Sequence, residues 1–295
     1  MLPHWVEFFD DLQHVRGRSL NTVMAYRRDL ELYRLFKEKK RPLPEFFDFL
    51  RENNLSVRSQ ARIVSSVRTY LRFIEGKGEK VPELSELRPP RVKAKLPKTL
   101  SLQEFEQLLV ACQAESPDRT ARNQITLLLL YGVGCRVSEL INLDLKDVSL
   151  TDNWIKILGK GNKERLVPLT ESLAASLKKY LADSRPHLLK NERTLQSLLI
   201  NDRGHRPSRV DVWRWLAAWS AKAGFSEPVN PHRFRHSCAT SLLESGADLR
   251  SIQVLLGHSS IQTTQVYTNV TSQNLVRTVD EHHPLSDDKP AEKTE

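Results

Sequence analysis

Four short segments of this 295-residue chain carry side chains suited to work on a phosphate ester. They are Gly134-Cys135-Arg136-Val137-Ser138-Glu139-Leu140, the Gly159-Lys160-Gly161 turn, Pro231-His232-Arg233-Phe234-Arg235-His236, and Leu256-Gly257-His258 leading to Tyr267. A phosphodiester under attack develops charge on its non-bridging oxygens, and guanidinium forks match those oxygens bidentately. His232 and Arg235 stand three apart, one face of a helix, and Pro231 suits a helix start where unpaired N–H groups favour an anion. Lys160, flanked by glycines, can swing to a leaving oxygen and donate a proton. Tyr267 follows His258 by nine residues, and an aryl oxygen is a sound nucleophile for a covalent phosphoryl intermediate. No carboxylate cluster stands ready for Mg²⁺, so no metal and no cofactor is expected. Glu139 is better placed to orient Arg136 than to ligate a metal. Singly, each of these residues has an ordinary explanation in packing, capping or surface polarity. As a set they describe one reaction centre.

The elements that must position them are mostly helical. From Asn21, apolar residues at Val23, Tyr26, Leu30, Tyr33 and Phe36 form a helical stripe. A short aromatic helix spans Glu45 to Glu52, opened by Pro44. A third helix runs from Val57, with Ala61, Val64, Val67, Leu71 and Ile74 inward, and stops at Gly76. Its other side carries Arg58, Arg62, Ser65, Thr69 and Arg72, a basic and hydroxyl ridge suited to phosphates. Residues 81–98 alternate prolines with Arg88, Arg91, Lys93, Lys95 and Lys98, a cationic extended linker able to track a DNA backbone. Beyond it, Ser101-Leu102-Gln103-Glu104 is a capping-box pattern, and a longer helix ends at the turn Tyr131 to Gly134. Trp154 to Leu158 and Arg165 to Leu169 read as two strands joined at the Lys160 turn. Trp213, Trp215 and Trp219 read as helix packing. After Tyr267, Leu275, Val276 and Val279 offer an apolar face at helical spacing, too small to fold alone and in need of a partner groove.

Charge and composition narrow the class. Net charge is +9 with 39% hydrophobic residues. Residues 1–95 carry +7, residues 96–272 carry +5 and residues 273–295 carry −3. Basic folded parts with an acidic tail point to a polyanionic partner, nucleic acid first. The longest apolar run is far too short to span a bilayer, and the start of the chain has no cationic segment followed by an apolar one, so no membrane association is expected. Cys112, Cys135 and Cys238 are widely spaced, without a CxxC pair. That fits a reducing, cytoplasmic setting.

The series Arg136, Lys160, His232-x-x-Arg235, His258, Tyr267 resembles the active site of the tyrosine site-specific recombinases in order and spacing. The words GCRVSEL, GKGNKERLVPL, PHRFRHSCATSLLESGADLR and LLGHSSIQTTQVYTNV are similar to the bacterial XerC/XerD branch. The resemblance spans nearly the whole chain, including the N-terminal helices and the Lys95-Leu96-Pro97-Lys98 linker end. Gly134-Cys135 departs from the commoner apolar residue before the arginine, and Asn269 stands where His is frequent. The ending near His282-His283-Pro284 leans towards XerD.

The resemblance implies a mainly α fold with a small antiparallel β-sheet. Residues 1–80 would form a helical, SAM-like core-binding domain, 81–98 the basic Pro-rich linker, 99–272 the α+β catalytic domain, and 273–295 a C-terminal exchange segment and polar tail. It implies attack by Tyr267 to give a 3′-phosphotyrosyl link, with Arg136, Arg235 and His258 on the non-bridging oxygens. Lys160 would protonate the 5′ oxygen and His232 would assist proton transfer at the tyrosine. Two strand exchanges through a Holliday junction would then recombine sites, at a dif-like sequence serving chromosome segregation. The implied partners are double-stranded DNA and a homo- or hetero-tetramer with a second Xer-type recombinase; an activator protein at the septum is left open. The competing readings are a phage or mobile-element integrase, a type IB topoisomerase, and a DNA-binding protein without enzyme activity. The chain starts close to its first core helix, without an arm-binding domain, which favours the simpler Xer type over an integrase.

Overall fold

The structure, a computed structural model, describes residues 2–82, 84, 87, 88, 98–159, 161–190, 194–257 and 269–286, and of 269–273 the backbone alone. The chain divides into two compact units, Met1–Leu96 and Pro97–Glu295.

The first unit is helical. α1 (Trp5–Asp10) runs into a π-helical turn at Asp11–Val15, and α2 (Leu20–Glu38) follows. A 3₁₀ turn at Leu43–Glu45 leads into α3 (Phe46–Glu52), and α4 (Val57–Glu75) closes the unit. Ser19 and Ser56 begin α2 and α4 by accepting the N–H groups of Thr22 and Ser59, caps whose loss costs about 1 kcal/mol each. Phe8, Leu30, Phe36, Phe46, Leu50, Val64 and Val67 are completely buried together. The sequence placed α2 to α4 but not α1. Pro44 lies in the 3₁₀ turn and does not open α3. The inward stripe of α4 is also broader than expected. Ile63 and Tyr70 join it, and Ala61 is only half-buried at its margin. Tyr70 donates its hydroxyl to the Pro3 carbonyl at 2.6 Å, so its ring is buried while its polar end is satisfied.

The second unit begins with α5 (Leu102–Ala111), whose Ser101–Glu104 capping box is formed in both directions. α6 (Pro117–Gly132) is its central helix, burying Leu127, Leu129, Leu130 and Tyr131, with Tyr131 stacked on Phe105 at 4.3 Å. After the one-turn α7 (Val137–Leu140) come three antiparallel strands in the order β1 (Val148–Ser149), β2 (Trp154–Leu158) and β3 (Glu164–Pro168). Ile155 pairs with Val167 and Ile157 with Arg165. Among the described residues the further α-helices are α8 (Glu171–Lys179), α9 (Arg185–Leu188), α10 (Arg209–Lys222), α11 (Pro231–Glu244), α12 (Leu249–Leu256) and α13 (Asn269–His282). β1 is too short for its pattern to show in the sequence.

Two expectations need correction here. Trp215 and Trp219 pack in the core, but Trp213 is 44% exposed, because α10 turns that position outward. The C-terminal face also needs no partner in this structure. Leu275 and Val279 are buried in their own chain, where α13 packs on α11, α12 and β3, and Val276 is half-buried. Beyond α13, His283 donates Nε2–H to the Gly132 carbonyl at 2.7 Å and accepts the Leu285 N–H on Nδ1. That pair of bonds calls for the neutral Nε2 tautomer.

Candidate active site

Gly134 opens the site. Its φ is +61°, and a Cβ there would lie 2.6 Å from Cδ2 of Leu256, so both backbone and space require glycine. Cys135 is buried behind it, its thiol donating to the Leu129 carbonyl, and burial pushes its pKa up to about 12. It is packing, not a nucleophile. Arg136 is the extended residue before α7, and Glu139, three positions on, reaches back to it. The Arg136 N–H donates to Oε2 of Glu139 at 2.9 Å, and Nη1 of Arg136 donates to Oε1 at 2.8 Å. The Arg136 backbone and guanidinium are thus fixed by one carboxylate.

Glu139 is only 5% exposed and is held from a second side by Arg165 of β3. Nη2 of Arg165 donates to Oε2 at 2.7 Å, while its Nε donates to the Leu255 carbonyl at 2.8 Å. Burial alone would raise the Glu139 pKa. The hydrogen bond and charge of Arg165, with the backbone and side-chain hydrogen bonds of Arg136, outweigh it and hold the carboxyl below its ordinary value.

Arg235 completes the cluster from α11. Asn230 caps that helix by accepting the Arg233 N–H at 3.0 Å, and Pro231 occupies its first turn. His232 and Arg235 share this turn with different fates: His232 is exposed and Arg235 is buried. Nη1 of Arg235 donates to the Gly134 carbonyl at 2.8 Å, and Nη2 donates to the Leu256 carbonyl. Gly257, with φ +66°, ends α12 beside it. Burial, then repulsion from Arg136 and Arg165, lowers the Arg235 pKa to about 10, which still leaves it charged at neutral pH. Two guanidinium groups, of Arg136 and Arg165, therefore share one carboxylate, Arg235 adds a third positive charge nearby, and the excess positive charge favours an anion.

Arg136, Glu139 and Arg235 are brought together by these contacts. Lys160, His258 and Tyr267 lie outside the described residues, as do Lys93 and Lys95 of the linker. Their neighbours Gly159, Gly161 and Gly257 are described, and Gly161 has φ +75°. On the ridge of α4, Arg58 and Arg72 are exposed. Arg62 is exposed too, but it is paired with Asp29, a buried carboxylate of α2 that also accepts the Ser66 hydroxyl at 2.7 Å. Among the described residues no His, Cys, Asp or Glu group could hold a metal ion. Among them, too, no helix is long and apolar enough to cross a membrane.

The sequence reading missed Arg165. The signal was present: Arg165 shares with Val167 the inward register of β3, while Glu164 and Leu166 face out. An arginine at a core position of an alternating strand asks for a buried partner, here Glu139.

Residues 98–274 match the phage integrase family, and residues 6–78 match the phage integrase N-terminal SAM-like domain. A tyrosine recombinase XerD of Staphylococcus saprophyticus is 38% identical over 94% of this chain and 97% of its own length. The XerD of Listeria innocua is 35% identical over 94% of this chain and 99% of its own. Among solved structures, XerH site-specific recombinase bound to a palindromic difH substrate, a post-cleavage complex, aligns with TM-score 0.66. It is 25% identical and the match covers 90% of this chain and 81% of that one. A lambda integrase tetramer bound to a Holliday junction shares the fold, with TM-score 0.63 at 18% identity over 89% and 79% of the two chains. This chain belongs to the phage integrase family of tyrosine site-specific recombinases, among its XerD-like members.

Proposed function

We propose that this recombinase cuts and rejoins double-stranded DNA through Tyr267, forming a 3′-phosphotyrosyl link and releasing a 5′-hydroxyl. The observation that carries the reading is the cluster in which Glu139 fixes Arg136 and the Gly134 carbonyl fixes Arg235, with positive charge in excess. Arg136 and Arg235 neutralise the non-bridging oxygens as charge develops on them, where preorganised donors contribute most. His258 adds a hydrogen bond, Lys160 protonates the leaving 5′ oxygen, and His232, exposed on the first turn of α11, assists proton transfer at the tyrosine. The ester conserves the energy of the broken bond, so rejoining uses neither ATP nor metal.

Arg58 and Arg72 on α4, with Lys93 and Lys95 of the linker, bind the phosphate backbone; Arg62 does so only in so far as Asp29 releases it. The relatives named XerD and the XerH complex with difH support a dif-like site and a role in separating joined chromosomes in the cytoplasm. A second Xer-type recombinase completes a tetramer, in which residues 273–295 are exchanged between subunits and α13 leaves its own groove to do so. An activator at the septum remains part of this reading. The domain layout proposed is 1–80, 81–98, 99–272 and 273–295.

The test is to purify the protein from cells under denaturing conditions and sequence any DNA covalently attached. Recovery of one short inverted-repeat site, undiminished by excess EDTA during cleavage, is the expected result. Attachment scattered over the genome would favour a topoisomerase, and no attachment would leave only a DNA-binding protein.

A further inference from the structure

Arg165 has a position that the proposed chemistry does not use. It is buried to 5% exposure on β3, two residues from Lys163 of the hairpin turn. Its guanidinium touches three segments that the active-site reading treats separately. It donates to Oε2 of Glu139, the carboxylate that holds Arg136. It donates to the Leu255 carbonyl at the end of α12, the helix that leads to His258. It also lies under Gly159 and Gly257, the glycines that precede Lys160 and His258 in the sequence. A Cβ on Gly257 would come within 3.0 Å of its Cδ and 3.2 Å of its Nη1, and a Cβ on Gly159 would lie 3.6 Å from Nη1. Gly159 N–H in turn donates to the Lys163 carbonyl at 2.8 Å, closing the hairpin base over this same guanidinium.

We infer that Arg165 is a positioning residue for DNA cleavage: through Glu139 it fixes the Arg136 guanidinium, and it locks the hairpin base and the end of α12 to that fixed point. It touches no reacting atom. A planar group with donors on two edges can bridge a carboxylate and a carbonyl at once, which a lysine amine at that depth does poorly. A displacement of about 1 Å in a catalytic group can slow a reaction on the order of 100-fold. Loss of the bridge therefore acts on the rate of cleavage and leaves DNA affinity, set by phosphate contacts elsewhere, nearly unchanged.

This inference rests on the reading of Tyr267 as the nucleophile. The full-length wild type, Arg165→Gln, Arg165→Lys, Glu139→Gln and the Arg165→Gln/Glu139→Gln double variant are compared on a nicked substrate that traps the covalent complex. Single-turnover cleavage, duplex affinity and thermal midpoint are measured for each. Arg165→Gln is expected to cleave on the order of 100-fold more slowly with little change in affinity, and Arg165→Lys to regain part of the rate. The double variant is expected to be slower than either single variant but by much less than the product of their two losses, because both act on the Arg136 guanidinium while Arg165 alone also holds the hairpin base and the end of α12. Wild-type cleavage by Arg165→Gln, or losses that multiply in the double variant, would overturn the assignment. If Arg165→Gln fails to melt cooperatively, Arg165→Lys decides: a slowed rate at wild-type affinity supports the bridge, and an unslowed rate refutes it. Absence of any covalent complex with the wild type would instead remove the nucleophile reading on which the inference stands.

Discussion

Nη1 of Arg235 donates to the backbone carbonyl of Gly134 at 2.8 Å, so one arginine of the proposed catalytic pair holds the turn that carries the other. The Leu256 carbonyl takes the second donor, and the start of α11, the Gly134 turn and the end of α12 meet at a single guanidinium. The proposed anion binding and the local rigidity would then rest on the same side chain.

Arg235→Lys tests that dual role. An amine keeps the charge but cannot span both carbonyls in a fixed plane. Single-turnover cleavage should fall on the order of 100-fold, and duplex affinity should change far less. Gly134→Ala attacks the same joint from the backbone, through its positive φ and the 2.6 Å approach to Leu256. It should lose about 1–3 kcal/mol of stability in urea unfolding. Equal stability would mean that the turn is not under this constraint.

Glu139 makes stability depend on acid in a defined direction. Its folded pKa lies below the ordinary glutamate value of 4.5. A depressed folded pKa contributes stability that is fully present above the unfolded value and is lost as pH falls through the folded one. Glu139→Gln should therefore be less stable than wild type at neutral pH, and the gap should close below about pH 4.5. Chemical unfolding midpoints across that range provide the comparison, and a gap that stays constant would contradict the linkage.

On α4 the arginines should divide into two kinds. Arg58→Ala and Arg72→Ala should weaken binding to all duplexes about equally and lower the salt slope by roughly one unit each, with no change in stability. Arg62→Ala should in addition destabilise the first unit by about 1–3 kcal/mol, since Asp29 would stay buried with the Ser66 hydroxyl as its remaining partner of that pair. Altered base preference in any of the three would mean that the helix reads base edges.

Much of this was legible in the sequence, for reasons that can be named. α4 declares itself because Val64, Val67, Leu71 and Ile74 repeat at helical spacing between Ser56 and Gly76, and the Ser101–Glu104 box marks α5 as plainly. The Arg136 to Tyr267 series stands out because six polar positions in a fixed order are informative without any contacts. Asp29 is hidden because a lone carboxylate on α2 reads as a surface charge until the fold brings Arg62, 33 residues on, to it; Arg165 is marked by the alternation of β3, but nothing in the sequence names its partner Glu139, 26 residues away. Trp213 was misplaced because an aromatic cluster on one helix does not say which of its members faces out. The Leu275–Val279 face was found, but periodicity identifies an apolar face and not what covers it. In this structure its own chain does.

Lys160 is assigned to the leaving oxygen. Lys160→Ala should be slow on ordinary DNA and largely restored when the 5′-bridging oxygen is replaced by sulfur, a leaving group that needs no acid. Cleavage rates on the two substrates make the comparison. Without restoration, the role would pass to Lys163 on the same turn or to no lysine.

The central claim is that Tyr267 is the nucleophile, and Tyr267→Phe removes its phenolic oxygen alone. Wild type and variant are incubated with a nicked suicide duplex, and the products are resolved on a denaturing gel beside a native binding gel. The account predicts equal binding on the native gel, a protein–DNA band on the denaturing gel for the wild type, and none for Tyr267→Phe. A covalent band that persists in the Phe variant would contradict it.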